Sequence, residues 1–227
     1  FMGLCREVLE YIKFRNDHPV EGVMPILAGL GSPQEMAVHD EKWHTENFMW
    51  GNSRLRRKDF WTKEIAEQWA ETLDQMRTRL ISCYNCPMKC GATISVPGLP
   101  TYMMKCFSKL TYTMAAMSDL NFGLRIAQRA TEYGVDGFSA PQVMAFALEL
   151  HEAGILADAE TAGMPSGSEE RFYWLLDRIV RREGIGDVLA NGTYWAARQI
   201  GKGAEAYAHN TIKKHEQLPL KLSMLNP

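Results

Sequence analysis

The sequence predicts a mainly α protein, and three observations carry that expectation. Apolar residues recur at helical spacing in several long segments, each bounded by recognisable start and stop residues. Only one short piece, Ala92 to Val96, reads as extended. No internal repeat or low-complexity tract interrupts the pattern.

Taken in order, the segment E-V-L-E-Y-I-K-F after Cys5 is the first helical stretch. Between Leu27 and Ser53 glycines, a proline and mixed polar residues show no sustained period. A loop-rich segment of that length in a compact protein is commonly a functional one. Phe60 to Ile81 places Ile65, Trp69, Leu73, Met76 and Leu80 along one helical face, with Asp59 or Thr62 as its cap. A helix over Asn121 to Tyr133 stops at Gly134. Another opens at the capping-box pattern Ser139-Ala-Pro-Gln142 and runs to about Ala153, before Gly154. Glu169 to Glu183 forms a further helix between Ser168 and Gly184. A last one starts at Asp187, breaks at Asn191-Gly192 and ends near Gly201. Gly163 to Gly167 reads as a surface linker. We set an approximate domain boundary near residue 115, dividing 1–115 from 116–227.

Composition excludes several classes. The chain has 227 residues, enough for a substantial core, and is 46% hydrophobic and 23% charged. A formal net charge of −2 provides no basic field, so nucleic acid is not an expected partner. No apolar run is long enough to span a bilayer, and no signal segment opens the chain. Five cysteines, three of them clustered, do not make a disulfide framework at this length. They point to metal ligation in a reducing, cytoplasmic setting. With Phe1 at its start and K-L-S-M-L-N-P at its end, the sequence reads as an excerpt of a longer polypeptide.

The chemistry concentrates in S-C-Y-N-C-P-M-K-C-G, which holds Cys83, Cys86 and Cys90. Each iron of an iron–sulfur cluster takes one protein thiolate, and closely spaced loop cysteines supply them. Structural zinc sites pair two C-x-x-C knuckles or add histidines at helical spacing, and neither His39 nor His44 has such a partner. Three unrelated core cysteines within eight positions is the bland reading. A fourth thiolate within the chain is Cys5 or Cys106, and spacing does not choose between them. The glycines of A-G-L-G-S-P do not form a phosphate loop, because no G-K-[ST] follows.

Three blocks, C-Y-N-C-P-M-K-C-G, E-Y-G-V-D-G-F-S-A-P-Q-V-M-A-F-A-L-E-L-H-E-A-G-I-L and G-I-G-D-V-L-A-N-G-T-Y-W-A-A-R, resemble the aldehyde ferredoxin oxidoreductase family of tungsten enzymes. The resemblance implies the family's two helical domains, with the β-rich domain that covers the pterins lying outside this chain. It implies that Cys83, Cys86 and Cys90 bind a [4Fe–4S] cluster whose fourth thiolate comes from farther downstream. Gly134 and Asp136 then help hold a tungsten bis-pterin cofactor.

Two stretches depart from the aldehyde oxidoreductases. Gly98 to Cys106 reads G-L-P-T-Y-M-M-K-C where those enzymes have an acidic G-P-E-Y-E-T-like segment. Together with G-L-G-S-P-Q-E-M-A-V-H-D-E-K-W-H at Gly29 to His44, it is similar to the tungsten subunits of class II benzoyl-CoA reductases. That resemblance implies Cys106 as a tungsten ligand and Glu35 and His44 as proton-handling residues facing an aromatic ring. It further implies an aromatic acyl-CoA substrate, an electron-transfer iron–sulfur subunit as partner and a hetero-oligomer.

The residue types suit those roles. A thiolate is a soft ligand for tungsten. Imidazole changes protonation near neutral pH, and a desolvated carboxyl holds its proton to higher pH. His39 lies in the same stretch and could exchange roles with His44. The Met and aromatic residues between Tyr102 and Met117 suit either a wall for a flat ring or ordinary core packing. His151 reads as structural. Lys213, Lys214 and His215 read either as pterin-phosphate contacts or as a solvated turn. Competing functions are aldehyde oxidation within the same family and a non-catalytic zinc- or cluster-stabilised interaction module.

Overall fold

A computed structural model describes residues 2–17, 63–84, 91–105, 112, 115, 119–208 and 211–216. The described residues through Lys105 belong to one compact unit and those from Tyr112 onward to a second. Helices account for most of both, as the apolar periodicity predicts.

In the first unit α1 spans Met2–Asp17 and α2 spans Lys63–Met76. Trp69 and Leu73, one turn apart on α2, are buried on the face that the spacing predicts. Helix α2 ends five residues earlier than expected. Arg77–Ile81 is instead strand β1, followed by β2 (Gly91–Ile94) and β3 (Tyr102–Lys105) in an antiparallel sheet ordered β1-β2-β3. Leu80 fits a helical period and a strand equally, so pairing decides. The Thr78 and Thr93 hydroxyls meet at 2.8 Å across β1 and β2. Ser95 N–H donates to the Met76 carbonyl at 2.8 Å, closing the corner where helix becomes strand. The inward face carries Ala92, Ile94 and Met104, all essentially inaccessible.

The second unit holds α3 (Leu120–Glu132), α4 (Ser139–Glu152), α5 (Ser168–Arg181), α6 (Ile185–Leu189) and α7 (Thr193–Ile200). A 3₁₀ turn (Ala204–Tyr207) and a hairpin of β4 (Thr211–Ile212) and β5 (His215–Glu216) follow. Its core joins Phe122 and Ile126 of α3, Met144, Phe146 and Leu150 of α4, and Leu175 and Leu176 of α5. Each such side chain, fully buried, contributes about 1.5–3 kcal/mol. Phe122 meets Phe172 and Tyr173 edge-on at 6.2 and 5.7 Å.

Caps define the ends. Asp119 accepts the Phe122 N–H at 2.8 Å to start α3, which stops at Tyr133 and Gly134 with the glycine at φ +73°. The start of α4 departs from the predicted capping box. Phe138 already has helical backbone angles, so Ser139 is the first helical residue, and its side chain makes no cap. The acceptor is Asp136, whose Oδ2 takes the N–H groups of Phe138 at 3.0 Å and Ser139 at 2.6 Å. Gln142 turns back to donate to the Phe138 carbonyl at 2.9 Å. The predicted break at Asn191-Gly192 separates α6 from α7. There Asn191 Nδ2 donates to the Asp187 and Val188 carbonyls. Among the described residues no helix is long and apolar enough to cross a membrane.

Candidate cofactor site

The sheet of the first unit organises the cysteine-bearing stretches. Ile81, Gly91 and Lys105 stand in one row across it, Ile81 paired with Gly91 and Gly91 with Lys105. From this row β1 leads to Cys83, the segment before β2 holds Cys86 and Cys90, and β3 leads to Cys106. The antiparallel register therefore brings Ile81, Gly91 and Lys105, which flank the cysteine-bearing stretches in sequence, to one end of the sheet. A Cβ at Gly91 would lie 2.9 Å from Ile81 Cγ1, so a larger residue there would force the Ile81 side chain to shift. Cys83 is solvent-exposed. Cys86, Cys90 and Cys106 lie outside the described residues, as do Glu35, His39 and His44. Among the described residues no three His, Cys, Asp or Glu side chains converge as a metal site.

In the second unit Gly134 and Asp136 form the turn that joins α3 to α4. Positive φ at Gly134 lets the chain reverse, and Asp136 follows in an exposed position. Two backbone N–H bonds hold Oδ2, while Oδ1 accepts none among the described residues. This is an oriented carboxylate with one oxygen left to receive donors. A pterin, whose edge carries amino and ring N–H groups, fits such an acceptor.

Tyr112 belongs to the same unit and was not singled out by sequence. Its side chain is 0% exposed, and its hydroxyl has no hydrogen-bond partner among the described residues. Burial pushes its ionisation well above the ordinary tyrosine range, with the negative charge of Asp136 adding to the effect. Nothing in residue type or spacing reveals an unpartnered hydroxyl.

The remaining candidates have structural places. His151 sits half-buried on α4 with Nδ1 3.3 Å from the Thr161 hydroxyl, as a structural histidine would. Lys213 and Lys214 form the turn of the β4–β5 hairpin, both at positive φ. The Lys214 ammonium lies 5.0 Å from the Trp195 ring centre and 5.6 Å from that of Tyr194. Glu216, also not anticipated, accepts the Thr193 N–H at 2.5 Å at the start of α7.

Comparison with known proteins places this architecture. The family model for aldehyde ferredoxin oxidoreductase, domains 2 and 3, matches residues 8–227. A tungsten-containing aldehyde ferredoxin oxidoreductase of Pyrococcus horikoshii is 29% identical over 232 residues, covering 95% of this chain and 34% of that protein. An aliphatic sulfonate oxidoreductase, WOR-like subunit, of Pyrococcus furiosus is 32% identical over 127 residues, covering 52% of this chain and 20% of that protein. A chain in the solved active-site complex BamBC of benzoyl coenzyme A reductase with 1,5-dienoyl-CoA is 76% identical, with a TM-score of 0.82. That match covers 97% of this chain and 34% of the other. The chain thus spans about a third of the length of the Pyrococcus horikoshii enzyme and of the solved chain. Matched along nearly its whole length by the family model, the chain belongs to the aldehyde ferredoxin oxidoreductase family.

Proposed function

We propose that this chain is the helical part of a tungsten-pterin, iron–sulfur enzyme that reduces the aromatic ring of benzoyl-CoA to a cyclic dienoyl-CoA. The observation that carries the reading is the 76% identity over 97% of the chain to a protein of a benzoyl-CoA reductase complex holding dienoyl-CoA. Identity to the aldehyde-oxidising relative from Pyrococcus horikoshii is 29%. In this reading residues 1–115 carry the substrate loop and cysteines, and residues 116–227 contact the pterins. The enzyme works in the cytoplasm as part of a hetero-oligomer with an electron-transfer iron–sulfur subunit.

Each residue has a chemical task. Cys83, Cys86 and Cys90 would hold a [4Fe–4S] cluster, which would supply a one-electron relay for the partner's electrons. Cys106 ligates tungsten, which when bound supplies low-potential reducing equivalents to the ring. His44, as imidazolium, donates a proton to a ring carbon, and Glu35 holds the second proton required by two-electron reduction. Asp136, fixed through Oδ2, presents Oδ1 to donors on the pterin edge, and Gly134 allows the tight turn that places it.

Replacing Cys106 by Ala in the full-length holoenzyme tests the assignment. Loss of tungsten with iron content unchanged is expected. Loss of the iron–sulfur signal instead would make Cys106 a cluster ligand, and zinc without tungsten in the native protein would favour a non-catalytic module.

A further inference from the structure

We propose that the apolar face of α1 is a docking surface for the part of the full-length polypeptide that lies outside these 227 residues. The proposal rests on the reading of this chain as the helical part of a longer enzyme and adds a place where the two parts join. Leu4, Val8 and Tyr11 stand at i, i+4 and i+7, so they form one stripe along α1, with Leu9 beside it. They are 64%, 40% and 57% exposed, and Leu9 is 53% exposed. Arg6, Glu7 and Glu10 are exposed as well, so the helix is open on its polar and its apolar side alike. Single exposed apolar side chains are ordinary, but a contiguous stripe of them marks an interaction surface. Held only by its own hydrogen bonds, a helix of 16 residues is marginal in water, and most helical stability comes from packing an apolar face. The stripe therefore calls for a cover.

Two observations select the occupant. The family match describes domains 2 and 3 and begins at Val8, inside the stripe, so α1 stands at the border of those domains. The match to the solved benzoyl coenzyme A reductase chain covers 34% of that chain, so most of a polypeptide of that length remains to supply a cover. A cover from the same polypeptide is held at high effective concentration and does not bear the lost translational freedom of a separate partner. Four partly exposed side chains offer on the order of a few hundred Å², short of the roughly 800 Å² per partner of a typical interface between separate chains. Such a stripe suits intramolecular docking better than a dimer or a subunit contact. Helices that lie on lipid carry a basic polar face, whereas α1 sets Glu7 and Glu10 beside Arg6 on the side away from its stripe.

The test puts a photoreactive benzophenone side chain in place of Tyr11 in the full-length chain, alone and assembled with its electron-transfer partner. Irradiation and peptide mapping then identify what lies against the stripe. The expected product is a crosslink within one polypeptide, from α1 to a peptide outside these 227 residues. It should form with and without the partner and at any protein concentration. Leu4→Ser combined with Val8→Ser should abolish the crosslink and lower the melting temperature of the full-length chain. A crosslink to the partner subunit, to a second copy (a product of doubled mass) or to a peptide within residues 1–227 would overturn the proposal. So would the absence of any crosslink, or a crosslink that survives the double substitution. Benzoyl-CoA turnover by the native complex separates this claim from the proposed function. Ring reduction without the expected crosslink removes the docking surface alone, and the expected crosslink without ring reduction removes the proposed function alone.

Discussion

The Asp136 carboxylate accepts the Ser139 backbone N–H at 2.6 Å, so the residue expected to hold the pterin also starts α4. Structure and binding can be separated by substitution. Asp136→Ala removes the cap and should lower stability by about 1 kcal/mol, seen as a reduced urea midpoint. Asp136→Asn keeps a capping oxygen and should hold most of that stability while losing the ionised acceptor.

The β4–β5 hairpin is tied to α7 through Glu216. Its carboxylate receives the Thr193 N–H at the positive end of that helix, so Glu216→Ala should destabilise by about 1–2 kcal/mol. Gly192, at φ +87° and ψ 162°, occupies backbone space nearly reserved for glycine. A Cβ there would also stand 3.1 Å from Glu216 Oε1. Gly192→Ala should therefore cost a further 1–3 kcal/mol or so, and less in a chain already carrying Glu216→Ala. A double-mutant cycle in urea measures that coupling.

The hairpin turn itself is strained. Lys213 and Lys214 have φ of 52° and 71°, where turns of this length favour Asn-Gly. Lys213→Gly should raise stability by up to about 1 kcal/mol. Lys214→Gly relieves the same kind of strain but gives up the ammonium contact with Trp195 and Tyr194, worth about 0.5–1 kcal/mol, so its gain should be smaller. Thermal melting of the two variants orders them.

Glu160 predicts an acid dependence. Its carboxylate accepts the Ala157 N–H at 2.8 Å and pairs with Lys202 at 3.2 Å, and its pKa lies below the ordinary value, chiefly through the Ala157 bond. A lowered folded-state pKa stabilises fully above the unfolded pKa, and that contribution disappears as pH falls through the folded value. Glu160→Gln should accordingly reduce the urea midpoint at pH 7, and the gap from the native chain should close as the pH falls below the ordinary glutamate range.

Particular residues show what was legible beforehand. Helices α3 to α7 could be read because their apolar faces and glycine stops are local features of the chain. The end of α2 could not. Arg77–Ile81 joins a sheet through non-local pairing with Gly91–Ile94, and Leu80 suits either period. At α4 the helix position was right and the cap was displaced. Ser139 has the right residue type, but Asp136 three positions earlier caps the helix start by accepting the N–H groups of Phe138 and Ser139. The cysteine spacing alone suggested a metal-binding stretch, whereas the assignment of Cys90 and Cys106 to different metals came from resemblance. Glu216 gains its capping role from Thr193, 23 positions away, which no local pattern encodes.

Ring reduction is tested most directly by the product formed from benzoyl-CoA. Full-length holoenzyme with its electron-transfer partner should convert benzoyl-CoA to a dienoyl-CoA bearing two added ring hydrogens, which become deuterium in heavy water. Benzoyl-CoA recovered unchanged, while the same preparation oxidises simple aldehydes to carboxylic acids, would contradict it.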